Sequence, residues 1–166
     1  MSEPTERWWG VVQPVAIPVG TVRVVDLDAL VGLRRAVLRD GRDDLPAAYP
    51  SDSAPSTLHL GLVGAGGPVL GAVTVRRDPW PAHATLHLVS MAVDAGWRRR
   101  GIGRALVGTV QDVATAAGFD VWAAARLAAL DFYRELGFRP AGDVFTGAMD
   151  LPHRRVLWRR SPERPA

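Results

Sequence analysis

At 166 residues, 48% of them hydrophobic and none cysteine, the chain is sized for one globular domain, and disulfides, thiolate catalysis and thiolate metal sites are excluded. All 20 basic residues are arginine, but 17 acidic residues hold the net charge to +3, too small an excess to mark a nucleic-acid binder. No apolar run reaches the ~18 residues of a membrane span, and the apolar stretch 8–25 is broken by Gln13, Pro14, Pro18 and Arg23 and lacks a basic leader. Neither a membrane anchor nor a signal peptide is expected, which leaves the cytoplasm as the default compartment.

Residues 1–18 read as an irregular N-terminal arm whose Trp8 and Trp9 pack onto the domain, 19–160 as that single domain, and 161–166 as a frayed tail. Thr21–Asp26 is a β-branched strand, and Asp26 or Asp28 caps a helix over Leu27–Arg39. Leu30, Leu33, Val37 and Leu38 give that helix its apolar stripe, which puts Arg34, Arg35 and Arg39 on a solvated face. After Gly41, residues 40–56 form a long polar connection with three prolines and Asp43, Asp44 and Asp52. Thr57–Val63 and Val69–Arg76 are strands closed by Gly64-Ala65-Gly66-Gly67-Pro68, and Ala84–Val93 is a third. A helix opens at Gly101 with Ile102, Ala105, Leu106, Val110, Val113 and Ala117 on one stripe, and Gly118 stops it. Phe119–Ala125 is a buried strand, Ala128–Leu136 a short helix ended by Gly137, and Phe138–Val144 and Arg154–Trp158 a last strand pair. The order is β–α–βββ–α–β–α–ββ, a mixed α/β (α+β) class without repeats.

The chemistry concentrates at the junction Ser90–Ala105, SMAVDAGWRRRGIGRA, where a strand gives way to a helix. Glycines at 101 and 103 let a ligand approach the backbone, and a helix starting there presents unpaired N–H groups and the positive end of its dipole, which suits a phosphate. Arg98, Arg99, Arg100 and Arg104 deepen that field. The string lacks the G-x-x-x-x-G-K-[ST] of a Walker loop, and Leu106 stands where a dinucleotide fingerprint needs a third small residue.

What remains, Arg98-x-x-Gly101-x-Gly103 on a strand–turn–helix unit, resembles the pyrophosphate motif of the GNAT acetyltransferase superfamily. One helix and one strand later, Ala125-Arg126-x-x-Ala129-x-x-Phe132-Tyr133-x-x-Leu136-Gly137-Phe138 resembles the segment that flanks coenzyme A in the same family. The likeness spans about Val22–Trp158, and Leu33–Arg39, the Thr57–Gly61 strand and Leu151-Pro152-His153 are similar to one subgroup. The resemblance implies a mostly antiparallel mixed sheet with a central splay, flanked by helices. It also implies acetyl-CoA as cosubstrate without a metal, and a small-molecule or peptide amine as acceptor; a homodimer is left open.

In that scheme the backbone of Arg99–Arg104 (Arg99, Arg100, Gly101, Ile102, Gly103, Arg104), with Arg98, holds the pyrophosphate. Met91, Ala92 and Val93 offer N–H and C=O groups to the pantetheine arm, and Arg126, Ala129 and Phe132 complete the cofactor side. Tyr133 protonates the departing thiolate, its hydroxyl having an ordinary pKa near ~10. His87 and His153 compete as the base that frees the amine; a pKa near ~6.5 suits the task. The alternatives are an ordinary core tyrosine and satisfied histidines. His59 and His83 read as strand and loop residues. No asparagine stands near the start of the tyrosine helix, and no glutamate lies on Ala84–Val93, where several relatives keep a base. Those departures keep a second class in view, a coenzyme-binding sensor without catalysis; a nucleic-acid-binding module is the third. Asp43, Asp44 and Asp52 are read as a lure for a cationic amine or as a plain linker.

Overall fold

Glycine and proline punctuation builds the first half of the sheet. In the computed structural model, which describes residues 6–81 and 84–161, Gly64–Pro68 closes a hairpin between β3 (Leu58–Val63) and β4 (Val69–Arg76). Ahead of it lie β1 (Val15–Ile17), β2 (Gly20–Val24) and α1 (Asp28–Leu38); after it come β5 (Thr85–Val93) and α2 (Ile102–Ala117). The second half holds β6 (Asp120–Arg126), α3 (Leu130–Glu135), β7 (Arg139–Thr146) and β8 (Pro152–Trp158). One eight-stranded sheet runs β1-β2-β3-β4-β5-β6-β8-β7, antiparallel everywhere except between β5 and β6.

The helices take opposite faces. Arg34 of α1 reaches the Thr74 hydroxyl of β4, whereas a Cβ on Gly71, which points the other way, would strike Ile102 of α2. α2 buries Ile102, Leu106, Val110 and Ala114, a four-residue spacing, over Leu60, Leu62, Val73, Val75 and Leu86. Each of the larger side chains, Val, Leu and Ile, contributes about 1.5–3 kcal/mol of burial free energy. α3 adds Tyr133 to this layer beside Phe138.

Several expectations change. The arm is not wholly irregular, because Val15–Ile17 pairs with Gly20–Val24 as the sheet edge; its tryptophans do pack on the domain, Trp8 donating to Ser56 O at 2.8 Å. α1 has no side-chain cap, its N-cap being Leu27. The short helix begins as a 3₁₀ turn over Leu127–Ala129, and β7 and β8 run beyond the limits the sequence suggests. Arg160 is tied to Asp120, its N–H donating at 3.0 Å, while His83 and the tail 162–166 lie outside the described residues. No helix of the described residues is long and apolar enough to cross a membrane.

Candidate active site

Alternation along β5 and β6 creates the site. The two strands pair in parallel only from Thr85↔Asp120 to Leu88↔Ala123; beyond that they separate, β5 running on to Val93 and β6 to Arg126. A bulge between Val89 and Ala92, with Ser90 left-handed at φ 53°, helps turn β5 away. The Asp94 N–H bonds Leu70 O, so strand alternation turns the N–H and C=O of Met91 and Val93 toward the gap. A cavity of about 650 Å³ passes through this splay from the α1 face to the α3 side.

Most of the sequence candidates meet there: Met91, Ala92, Val93, Arg98, Arg126, Ala129, Phe132, Tyr133, His87 and His153 all line the cavity. The basic loop divides. Arg100, Gly101 and Arg104 line a second, shallower groove of about 380 Å³ beside Val15, Ile17 and Pro18, and Arg99 and Gly103 line neither. Ile102 is a core side chain, so only its backbone is available to a ligand. Arg100 lies over Trp97, its guanidinium 4.9 Å from the ring centroid, and Arg104 leans toward Glu135 at 3.7 Å.

The glycines differ in their roles. Gly101 is the left-handed residue before α2 (φ 79°), with no side-chain cap, and the N–H groups of Ile102, Gly103 and Arg104 have no acceptor within the helix. Gly103 was expected to open the backbone to a pyrophosphate. Its missing Cβ instead faces protein, 3.1 Å from the Phe132 ring and 3.2 Å from Met91 Cε, so this glycine lets α2 close on α3 and β5.

Tyr133 is 5% exposed, its ring edge-on to Phe132 and Phe138 at 5.2 and 5.3 Å. The hydroxyl has no hydrogen-bond partner among the described residues, and burial pushes it well above the usual phenol range, so it holds its proton at neutral pH. His153 touches Leu151 O through Nδ1 at 2.8 Å; a carbonyl only accepts, so Nδ1 carries the hydrogen and donates it. His87 stacks on Trp122 at 3.6 Å and donates from Nδ1 to Asp78 Oδ2 at 2.9 Å.

Burial lowers His87 to about 4, with Arg76 and Arg155 adding to the shift and the Asp78 hydrogen bond opposing it. The folded value lies below the ~6.5 of an unfolded chain, so between the two the unfolded state binds more protons and stability falls as pH falls. From pH 6.5 to 4 the wild type should therefore lose about 2–3 kcal/mol more than His87→Gln. Urea midpoints across that range test this, and parallel pH profiles would show a solvated imidazole.

Residues that sequence reading left in solvent or unremarked form the wall on the α1 side. Arg34 is 1% exposed and holds Asp52 at 2.7 and 3.3 Å, besides Ala47 O and Thr74 Oγ1. Burial alone would raise the Asp52 carboxyl, but hydrogen bonds from Arg34 and the Tyr49 N–H and the Arg34 charge outweigh it and hold it below its usual value. Thr74 in turn meets His59 Nδ1 at 2.7 Å, and His59 Nε2 donates to Asp52 O at 2.9 Å. The 40–56 connection is thus pinned, with a 3₁₀ turn over Pro50–Ser53, and presents Tyr49 and Ser51 to the cavity. Arg39 also faces the cavity, donating to Pro46 O and the Tyr49 hydroxyl. Of the three acidic residues of this connection only Asp52 lines the cavity, and it is committed to Arg34; Asp44 pairs with Arg42, and Asp43 stands 3.8 Å from Arg35.

A family model described as the Acetyltransferase (GNAT) family matches residues 27–138, which hold α1 to α3 and every strand that borders the splay. The chain belongs to the GNAT family. Solved structures share the fold of this GNAT chain. Acyl-CoA N-acyltransferase from Pseudomonas aeruginosa superposes with a TM-score of 0.71 at 19% identity over 83% of this chain and 98% of that one. Escherichia coli ElaA gives 0.71 at 16% identity, with coverage of 83% and 98%. An aminoglycoside 6'-N-acetyltransferase complexed with coenzyme A gives 0.70 at 16%, with coverage of 87% and 99%. The comparison with curated protein sequences gave no significant match.

Proposed function

We propose that the protein moves an acetyl group from acetyl-CoA to the amine of a small molecule or peptide by direct attack. One observation carries this reading: a single cavity joins the unpaired strand edge at Met91 and Val93, the partnerless hydroxyl of Tyr133, and the imidazoles of His87 and His153. The residues fit the cosubstrate. Free N–H and C=O groups along β5 suit an amide-bearing pantetheine arm, and Arg98 with the open N–H groups of α2 suits a pyrophosphate. A related fold has been solved with coenzyme A, which adds support.

The thioester supplies an activated acetyl group. A backbone N–H at the β5 edge polarises its carbonyl. His87, oriented by Asp78, or His153, oriented by Leu151 O, accepts the proton the amine sheds. Tyr133 gives a proton to the leaving sulfur. The low basicity of His87 favours one second reading, a coenzyme-binding sensor without turnover. Calorimetry with coenzyme A, together with thiol release from acetyl-CoA in the presence of an amine library, separates the two. Binding with amine-dependent thiol release is the expected result; binding with none would leave the sensor.

A further inference from the structure

The charge around the acceptor side of the cavity is unbalanced. Five arginines stand on or behind that wall, Arg34, Arg39, Arg76, Arg126 and Arg155, against the carboxylates of Asp52 and Asp78. Asp52 is used by Arg34, and Asp78 is shared between His87 and Arg76, which it meets at 2.9 and 3.6 Å. Arg39 is held by neutral oxygens, and Arg155 by the faces of Trp80, Trp122 and Phe145 at 4.9, 5.8 and 5.4 Å. Three positive charges thus lack a carboxylate.

Arg126 is the least satisfied of them. It is half-buried, lines the cavity, and has no hydrogen bond or ion pair among the described residues. It leaves β6 on the face of Trp122 and Ala124, where His87 stacks, and sits opposite His153 in register. That face is the α1 side, away from α2 and its phosphate-binding end, so its place on the cofactor side, expected from the sequence motif, is the weaker assignment. A planar guanidinium with free donors in a partly dry pocket matches a carboxylate, which it can hold through two parallel hydrogen bonds.

We infer that the acyl acceptor is an amine that also carries a carboxylate, and that Arg126 anchors the carboxylate. The inference rests on the acetyltransferase reading of this cavity. The step balances simply: the amine nitrogen bonds the acetyl carbon, the carbon–sulfur bond breaks, the thiolate takes one proton, and the ammonium form sheds two in all, one to the sulfur through the site and one to solvent. A polycationic amine meets an excess of like charge here and is disfavoured.

The test compares amino acids and ω-amino acids with their carboxamides, and with spermidine, as acceptors for acetyl-CoA, N-acetyl product being counted by mass spectrometry. An α-amino acid amide has the less basic amine, so chemistry alone favours the amide; a preference for the acid must come from the site. The acids should win by about 10- to 100-fold in kcat/KM, the usual weight of a hydrogen bond to a charged group. Arg126→Gln should collapse that ratio toward one, through KM. Turnover without discrimination, a ratio that survives in the variant, or a variant whose loss lies in coenzyme A affinity would each overturn the inference while leaving the acetyltransferase reading intact. No product from any amine, in a protein that binds coenzyme A, would instead overturn that reading and the inference with it.

Discussion

Replacing Arg34 by alanine should cost about 3–5 kcal/mol of folding stability, because it leaves a carboxylate buried without its counter-charge. Asp52 is 6% exposed and would keep only the Tyr49 N–H from its present ring of donors. Thr74 would lose a hydrogen bond of 2.6 Å at the same time. The sign of the pH dependence identifies the cause. In the wild type the Asp52 carboxyl is held below its usual value, so the stability it adds is present above the unfolded pKa and is lost as pH falls through the folded one. In the variant only the Tyr49 N–H hydrogen bond is left on the carboxylate against burial, so the same carboxyl rises relative to the wild type and acid relieves the strain. The gap between the two proteins should therefore narrow from pH 7 toward pH 4, and Arg34→Met combined with Asp52→Leu should recover part of the loss. A gap below 1 kcal/mol in urea titrations at pH 7, or one that ignores pH, would assign the ordering of residues 40–56 to other contacts.

Tyr133→Phe should lower kcat by about 10²–10⁴-fold while barely moving stability. The ring contacts with Phe132 and Phe138 survive the change, and the hydroxyl has no partner to lose. The raised phenol pKa keeps the donor protonated across the physiological range, so the wild type should show no alkaline loss of rate from this group. Thiolates leave readily near neutral pH, which places the expectation at the low end. Thiol release within twofold of wild type on a confirmed acceptor would mean that water supplies the proton and Tyr133 is only a core side chain.

From β2 onward the strand and helix order was legible in the sequence because glycine and proline mark nearly every boundary, and the α2 stripe because its spacing is regular; β1, read as part of an irregular arm, was not. The splay was legible only through family likeness, since no local pattern tells two parallel strands to part after Leu88 and Ala123. Arg34 was misread for a physical reason. Periodicity treats a charge beside Leu33 and Val37 as solvent-seeking, and its counter-ion lies 18 residues away in a proline-rich stretch. A hint was present in polar residues at inward positions of apolar strands, His59, Thr74 and His87, all of them buried and all hydrogen-bonded. The wall formed by Arg39, Tyr49 and Arg76 had no such hint, because three separate elements supply it.

The four parallel rungs between β5 and β6 have a mechanical meaning. They sew a five-stranded lamina, β1 to β5, to a three-stranded one, β6, β8 and β7, and the seam stops halfway up. Whatever fills the open half bridges both laminae, much as a wedge driven into a split board can lock it as well as part it. A ligand in the splay would thus act as a missing rung, and occupancy would be felt at the far edges of both laminae, well beyond the atoms it touches.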